Sequence, residues 1–162
     1  MSEKINGFFN RVLIRPLVDQ IKQGADANGL AKTVAAGFII SIIPVLGVTT
    51  AICVVVGLKL RLNQPVIQAV NYLFYPLQII LLPVFILLGA KIFGVEPVSF
   101  DPKTVFSEFT TDPGLFMSNY GMAGLRACLV WVLISPVLFF SLKSISYFFF
   151  KKLKIKQETK AQ

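Results

Sequence analysis

The sequence contains no histidine and only two cysteines among its 162 residues. Histidine is the side chain best suited to proton transfer at neutral pH and the commonest metal ligand, so its absence removes the most familiar catalytic and metal-binding sets. All eight acidic residues lie outside the long apolar runs, whereas Cys53 and Cys128 lie inside them and are expected to be small core residues. We therefore expect no metal, no cofactor and no enzymatic activity. A Ser135–Lys143 hydrolase is the weaker alternative.

The composition is that of a membrane protein. Hydrophobic residues make up 55% of the chain, and the mean hydropathy is +0.72. The formal net charge is +8, but the cations cluster at the ends of apolar runs, where juxtamembrane anchors contact anionic lipid headgroups. The distribution of charge therefore indicates membrane lipids as partners, and we expect no nucleic-acid partner.

These patterns predict an all-α integral membrane protein with broken helices, a re-entrant hairpin and two or more transmembrane helices. The predicted single membrane domain, 1–150, starts with an N-terminal amphipathic helix that lies in the membrane interface or packs on the protein. The predicted segments are an amphipathic helix 1–25, a helical hairpin 30–62, a broken transmembrane segment 65–94, an extracytoplasmic loop 95–119 with a short helix near 105–109, a transmembrane helix 120–150 and a basic cytoplasmic tail 151–162.

The hairpin prediction depends on Pro44 and Gly47, which interrupt the first apolar run. Each arm then has about 13 residues, or roughly 20 Å, which is less than the ~30 Å of a hydrocarbon core. Cations near span ends favour the cytoplasm. A re-entrant first run places both termini and the loop with Lys59 and Arg61 in the cytoplasm. The alternative makes 65–94 the hairpin and leaves that loop outside.

Polar residues near the helix breaks are the candidate site. N–H groups freed at the start of the second arm lie at the positive end of a helix dipole, where they would bind an anion. Broken helices also form the substrate sites of many transporters. Serine and threonine at such a break also bond back to their own helix. Arg126 is either an anchor at the interface or a headgroup or substrate contact. The candidate substrate-binding residues are Ser41, Pro44, Gly47, Thr49, Thr50, Arg61, Asn63, Asn71 and Arg126.

The stretch 37–63, with Pro44-x-x-Gly47-x-Thr49-Thr50 followed by Arg61-x-Asn63, resembles a bacterial membrane family catalogued as domain of unknown function 2062. Tyr75-Pro76 stands where that family usually has Asn-Pro. The resemblance implies a place in the bacterial envelope. Because some relatives are joined to glycosyltransferase domains, it also suggests work on envelope lipids or polysaccharides.

We accordingly predict a multi-pass protein of the bacterial inner membrane that transports or flips an anionic lipid-linked or phosphate-bearing substrate. The alternative is a non-catalytic scaffold or accessory subunit for an envelope glycosyltransferase. Interrupted membrane spans leave protein surface that a second copy of the chain can cover, which favours a homo-oligomer.

Overall fold

The structure, a computed structural model, describes residues 26–158 and the surroundings of side chains through residue 152. All regular structure in that part of the chain is helical, which confirms the all-α class there. The helices are α1 (Ala27–Ser41), α2 (Thr49–Lys59), α3 (Gln64–Phe93), α4 (Pro102–Thr111) and α5 (Pro113–Glu158). The predicted N-terminal amphipathic helix 1–25 lies outside the described residues.

The first apolar run is interrupted between α1 and α2, as Pro44 and Gly47 predict. Pro44 has no backbone N–H to continue the helix, and Gly47 has a φ of +85°, which glycine adopts without a steric penalty. The chain then reverses. The Asn63 backbone N–H, just after α2, donates to the Thr33 hydroxyl in the first half of α1 at 3.4 Å. The two ends of this segment therefore lie side by side.

Helix α1 is the central element, because α2, α3 and α5 all contact it. Gly37 allows α3 to approach α1 closely: a Cβ at position 37 would lie 2.9 Å from the Val70 Cβ and 3.0 Å from the Ile67 carbonyl oxygen of α3. From α5, the Trp131 indole donates to the Ile39 carbonyl at 3.1 Å. The buried apolar side chains around α1 include Leu30, Ala31, Ala35, Ile39, Ile42, Ile67, Val70, Ala127 and Val130.

Helix α3 is one continuous helix, although the sequence predicts a broken segment there. Both Pro76 and Pro83 lie inside it. A proline removes one helical hydrogen bond and favours a kink, but buried contacts hold α3 on both sides of the prolines, at Val70 and at Phe85. The alternative in which 65–94 forms the hairpin therefore does not match the structure.

Helix α5 runs antiparallel to α3 and packs against both α1 and α3. Its Ala127 and Val130 pack with Ile42 and Phe85, whereas its Phe150 packs with the start of α1. We call the end of the molecule near Asp26, Asn63 and Tyr147 the Asp26 end, and the opposite end the Glu96 end. Part of the predicted basic tail is helical, since α5 continues to Glu158.

The predicted loop 95–119 contains α4 and the beginning of α5. The expected short helix near 105–109 is present and longer, at Pro102–Thr111. Asp101 caps it by accepting from the Thr104 N–H at 3.0 Å, and Pro102 suits its first turn. The segment joins α3 to α5 at the Glu96 end.

Two of the described helices, α3 and α5, are long and apolar enough to cross a membrane. In their most apolar stretches of 18 residues, only 22% and 11% of the residues are buried. A core helix of a soluble protein would be mostly buried, so these helices expose apolar surface that suits lipid. Exposed apolar side chains along them include Ile79, Ile80, Val84, Leu87, Leu125, Leu129, Leu133 and Val137.

Candidate functional site

The break between α1 and α2 is held by one side chain of α3. The Gln78 side-chain amide donates to the Ile43 carbonyl at 2.6 Å and to the Val45 carbonyl at 3.0 Å. Both carbonyls lie where the helical hydrogen bonds end, and an unpaired carbonyl in an apolar interior is costly. Gln78 is 1% exposed. It therefore gives the Val45 carbonyl its partner and gives the Ile43 carbonyl a second one, besides the Val45 N–H at 2.7 Å.

The contacts of Gln78 also determine the level along α3 at which the break between α1 and α2 lies. It occupies the midpoint of α3, Gln64–Phe93, about 21 Å along the helix axis from Gln64 at 1.5 Å per residue. The break therefore lies level with the middle of the long helix, whereas the turn after α2 lies level with its beginning.

A row of amide side chains on α3 faces α2. The Gln64 amide donates to the Val54 carbonyl at 3.1 Å, and the Gln68 amide donates to the Thr50 carbonyl at 3.2 Å. Positions 64, 68, 71 and 78 are separated by steps of three, four or seven, which place them on one helical face. The row thus connects α3 to α2 and to the break through polar contacts.

Three amide oxygens of this row lack a hydrogen-bond partner within the described part of the chain: Gln68 Oε1, Asn71 Oδ1 and Gln78 Oε1. All three are buried acceptors. A buried polar atom without a partner usually indicates a bound water or another missing group. Hydroxyl or N–H groups of a ligand would satisfy them, and so would water.

The residues predicted around the break divide into backbone and side-chain roles. The Ser41 hydroxyl donates to the Phe38 carbonyl at 2.6 Å. Ser41 therefore bonds back to its own helix, which is the alternative to ligand contact given in the sequence analysis. Pro44 and Gly47 shape the turn. Thr49 is 2% exposed, and the Thr50 hydroxyl accepts from the Asn71 amide at 3.4 Å. The structure thus brings Thr50 and Asn71 together.

The first turn of α2 starts beside the same row. Its leading N–H groups have no partners within the helix, as in any helix. Val48, at the N-cap, contributes no side-chain hydrogen bond to them. These donors belong to the same turn as Thr50, which contacts Gln68 and Asn71 of α3.

Arg61 and Asn63 lie away from the break, at the Asp26 end. Arg61 has a φ of +52° and follows the last turn of α2, where the Leu62 N–H donates to the Gly57 carbonyl at 2.8 Å. The Asn63 side chain caps α3 by accepting from the Val66 N–H at 3.1 Å. Both residues line a cavity of about 230 Å³ that also contains Asp26 and Thr33.

Arg126 belongs to a different cavity, at the Glu96 end. This cavity has a volume of about 520 Å³ and none of the break residues among its lining. Its charged residues are Arg126, Glu96 and Glu108. The prediction that groups Arg126 with the break in one site is therefore not matched by the geometry.

Several residues of these sites are absent from the sequence prediction. Gln64 and Gln68 carry a readable signal, because polar residues recur at helical spacing along an otherwise apolar run. No such sequence signal identifies Glu96 and Glu108, because they reach the cavity of Arg126 only through the packing of a loop and two helices. Among the described residues, no three side chains of histidine, cysteine, aspartate or glutamate converge as metal ligands would.

The fold and the break define a class: residues 26–158 contain two helices that suit membrane spans and a third apolar segment that folds back and packs against them. Over residues 10–161, the chain matches the family described as "Uncharacterized protein conserved in bacteria (DUF2062)". The chain therefore belongs to this bacterial family, as the Pro-x-x-Gly and Arg-x-Asn motifs predict. Comparisons with curated proteins and with solved structures give no match.

Proposed function

We propose that this chain is a small protein of the bacterial inner membrane that binds the polar part of a phosphate-bearing, lipid-linked substrate at the break and moves it across the membrane. The observation that carries the proposal is Gln78. Its buried amide donates to two carbonyls of the break and leaves its own oxygen without a partner in the described structure. A polar site of this kind halfway along an apolar helix is how broken-helix transporters bind substrate.

In this proposal α3 and α5 cross the membrane, and α1 and α2 form a re-entrant hairpin. The fold-back of α1 on α2 and the position of the break halfway along α3 support that arrangement. The charges also support it, because Arg61, Lys143 and Lys152 belong to the Asp26 end or to the helix that leaves it. Under the positive-inside rule that end is cytoplasmic.

The break offers two kinds of contact to a substrate. The unpartnered amide oxygens of Asn71 and Gln78 accept from hydroxyl groups, such as those of a sugar. The free N–H groups of the first turn of α2 donate to a phosphate. A phosphate joined to a hydroxylated group uses both, and this combination is common in lipid-linked envelope precursors.

Binding of a defined probe tests the proposal. A fluorescent polyprenyl phosphate sugar should bind the purified chain in nanodiscs, and Asn71→Leu should weaken binding about tenfold, or 1.4 kcal/mol. Tyr72→Leu is the matched control, because Tyr72 is the next residue of α3 and is 59% exposed. Equal binding by both variants, with unchanged folding, would contradict a site at the break. Transfer of the probe between the leaflets of proteoliposomes then tests movement.

A scaffold for an envelope glycosyltransferase is the second candidate. It is favoured by the outward face of α2, where Val54, Val55 and Leu58 are exposed, and by the continuation of α5 beyond its apolar stretch to Glu158. Co-purification with such an enzyme, together with no probe transfer in proteoliposomes, would favour this function over transport. A homo-oligomer formed through the same face would be detected by the mass of the purified particle.

A further inference from the structure

The cavity at the Glu96 end is formed by three separate parts of the chain. Glu96 comes from the loop after α3, Glu108 from α4 and Arg126 from α5. The volume of about 520 Å³ is in the range of small-ligand sites. The remaining lining residues are Pro97, Val98, Ser99, Ser118, Asn119 and Met122.

The charges of this cavity are mixed, with one cation and two carboxylates. A purely anionic headgroup would meet Arg126 but would also face Glu96 and Glu108. A purely cationic ligand would meet the carboxylates but also the guanidinium. We infer that the cavity binds a zwitterionic headgroup in which a phosphate is joined to a primary amine, as in phosphoethanolamine, with the phosphate at Arg126 and the ammonium at the two carboxylates.

The chemistry of each group suits its proposed partner. The planar guanidinium donates two parallel hydrogen bonds to a phosphate, and an ammonium group donates to carboxylates in charge-assisted hydrogen bonds. Ser118 and Asn119, which precede Arg126 on α5, add neutral donors and acceptors to the lining. An arginine within an apolar helix is costly unless it faces protein or a polar cavity, and Arg126 does line such a cavity.

Arg126 is held at its position by close packing of α3 against α5. A Cβ placed on Gly89 would lie 3.1 Å from both the carbonyl carbon and the Cβ of Arg126. On the other side of the cavity, the Tyr120 hydroxyl donates to the Ser99 carbonyl at 3.1 Å. These contacts fix α5 and the loop relative to α3, so the backbone segments that carry Arg126 and Glu96 are positioned before any ligand arrives.

A membrane lipid is the favoured source of this headgroup. Met122 lines the cavity and is 45% exposed. Leu125 and Leu129, which follow it at helical spacing, are exposed as well. They form an apolar strip on α5 that leads from the cavity along the membrane-facing side, where an acyl chain can lie while the headgroup occupies the cavity.

This site is separate from the break, and the only part of the proposed function on which it rests is that α5 faces lipid. The two proposals therefore fail separately. Loss of probe binding in Asn71→Leu concerns the break, whereas headgroup selectivity concerns Arg126, Glu96 and Glu108.

Native mass spectrometry of the purified chain with defined lipids tests the inference. Phosphatidylethanolamine should bind at least about tenfold more tightly than phosphatidylglycerol, which carries no amine. Arg126→Gln should weaken phosphatidylethanolamine binding about tenfold. The double variant Glu96→Gln/Glu108→Gln should bind phosphatidylglycerol more tightly than the unaltered chain does, and so reverse the preference. Because the tighter binding of phosphatidylglycerol is a gain, misfolding cannot produce it.

Two matched controls change charges at the same end but outside the cavity. Lys91→Gln and Asp112→Asn should leave the lipid preference unchanged; the asparagine side chain can still cap α5 as the Asp112 carboxylate does. Equal binding of the two lipids by the unaltered chain, or no change of preference in the double variant, would overturn the inference. Displacement of the lipid by equimolar free phosphoethanolamine would overturn the lipid as source in favour of a soluble ligand.

Discussion

Three apolar segments in the described part of the chain contain prolines, and only one of them is broken. The segment 27–59 ends one helix at Ser41 and begins another at Thr49, whereas α3 continues through Pro76 and Pro83 and α5 continues through Pro136. The difference lies in what accompanies the proline. Pro44 is followed by Gly47 at a positive φ, and a buried glutamine donates to the freed carbonyls. Proline alone therefore does not determine where an apolar helix stops.

The largest expected effect comes from removing the partner of the break. Gln78→Leu removes two hydrogen bonds: it leaves the Val45 carbonyl without its donor and the Ile43 carbonyl with only the Val45 N–H. A lost hydrogen bond costs about 1 kcal/mol and a buried group left unpaired about 1–3 kcal/mol, so we expect the variant to lose about 2–4 kcal/mol of stability. Unfolding by sodium dodecyl sulfate in mixed micelles measures this change.

Gln68→Leu is the matched control for Gln78→Leu. It removes one hydrogen bond, from the Gln68 amide to the Thr50 carbonyl, and should cost about 1 kcal/mol. If both variants lose the same stability, Gln78 does not hold the break and the comparison between the two segments fails.

The next effect concerns the contact between the broken and the continuous segment. Gly37→Ala places a Cβ 2.9 Å from the Val70 Cβ, so α1 and α3 must move apart. Overpacking of this kind typically costs about 1–3 kcal/mol. Thermal unfolding in detergent measures the change.

Gly121→Ala serves as the control for Gly37→Ala, because a Cβ at Gly121 in α5 meets nothing within 4 Å. Alanine favours helix over glycine, so this variant should be neutral or more stable by up to about 1 kcal/mol. A loss of stability as large as that of Gly37→Ala would show that close packing against α3 is not the cause.

A smaller effect is expected at the turn itself. Gly47→Ala forces an alanine into a φ of +85°, which costs an L-residue about 1–2 kcal/mol. No atom lies within 4 Å of the added Cβ, so the cost is conformational alone. Gly124→Ala, in α5 with equally open space, should not destabilise, and the stability difference between the two variants isolates the backbone term.

The smallest effect is a local pH dependence outside the compared segments. The Thr104 backbone N–H lowers the pKa of Asp101 below its ordinary value of 3.8, and the Thr104 hydroxyl adds to this effect. Because the folded pKa is depressed, the cap contributes fully above about pH 4 and is lost as the pH falls through the folded pKa. Residues 41–50 contain no titratable side chain, so the break should not respond.

Hydrogen exchange of α4 and of the 41–50 region between about pH 5 and about pH 2.5, corrected for the intrinsic exchange rate, measures the two responses separately. Asp101→Asn retains a capping side chain but cannot titrate, so its α4 should lose the pH dependence. An acid response at the break equal to that of α4 would contradict the assignment to Asp101.

Part of the fold follows from the sequence because its causes are local. Pro44 and Gly47 predict the place of the break, Asp101-Pro102 suits the start of the short helix, and the long apolar runs predict helices that suit membrane spans. The continuous α3 could not be predicted in this way, since its prolines are tolerated through contacts with residues distant in the chain. The same holds for the cavity, where Arg126 meets Glu96 and Glu108 across three elements.

The sequence by itself determined the helical class, the family, the place of the interruption and the apolar surface, because backbone geometry and side-chain hydropathy act within a few residues. Tertiary structure alone decided that Gln78 pairs the interrupted backbone and that Arg126 belongs with two glutamates and not with the break. Hydrogen bonds and charges act across space, and their partners are set by how α1, α3 and α5 pack.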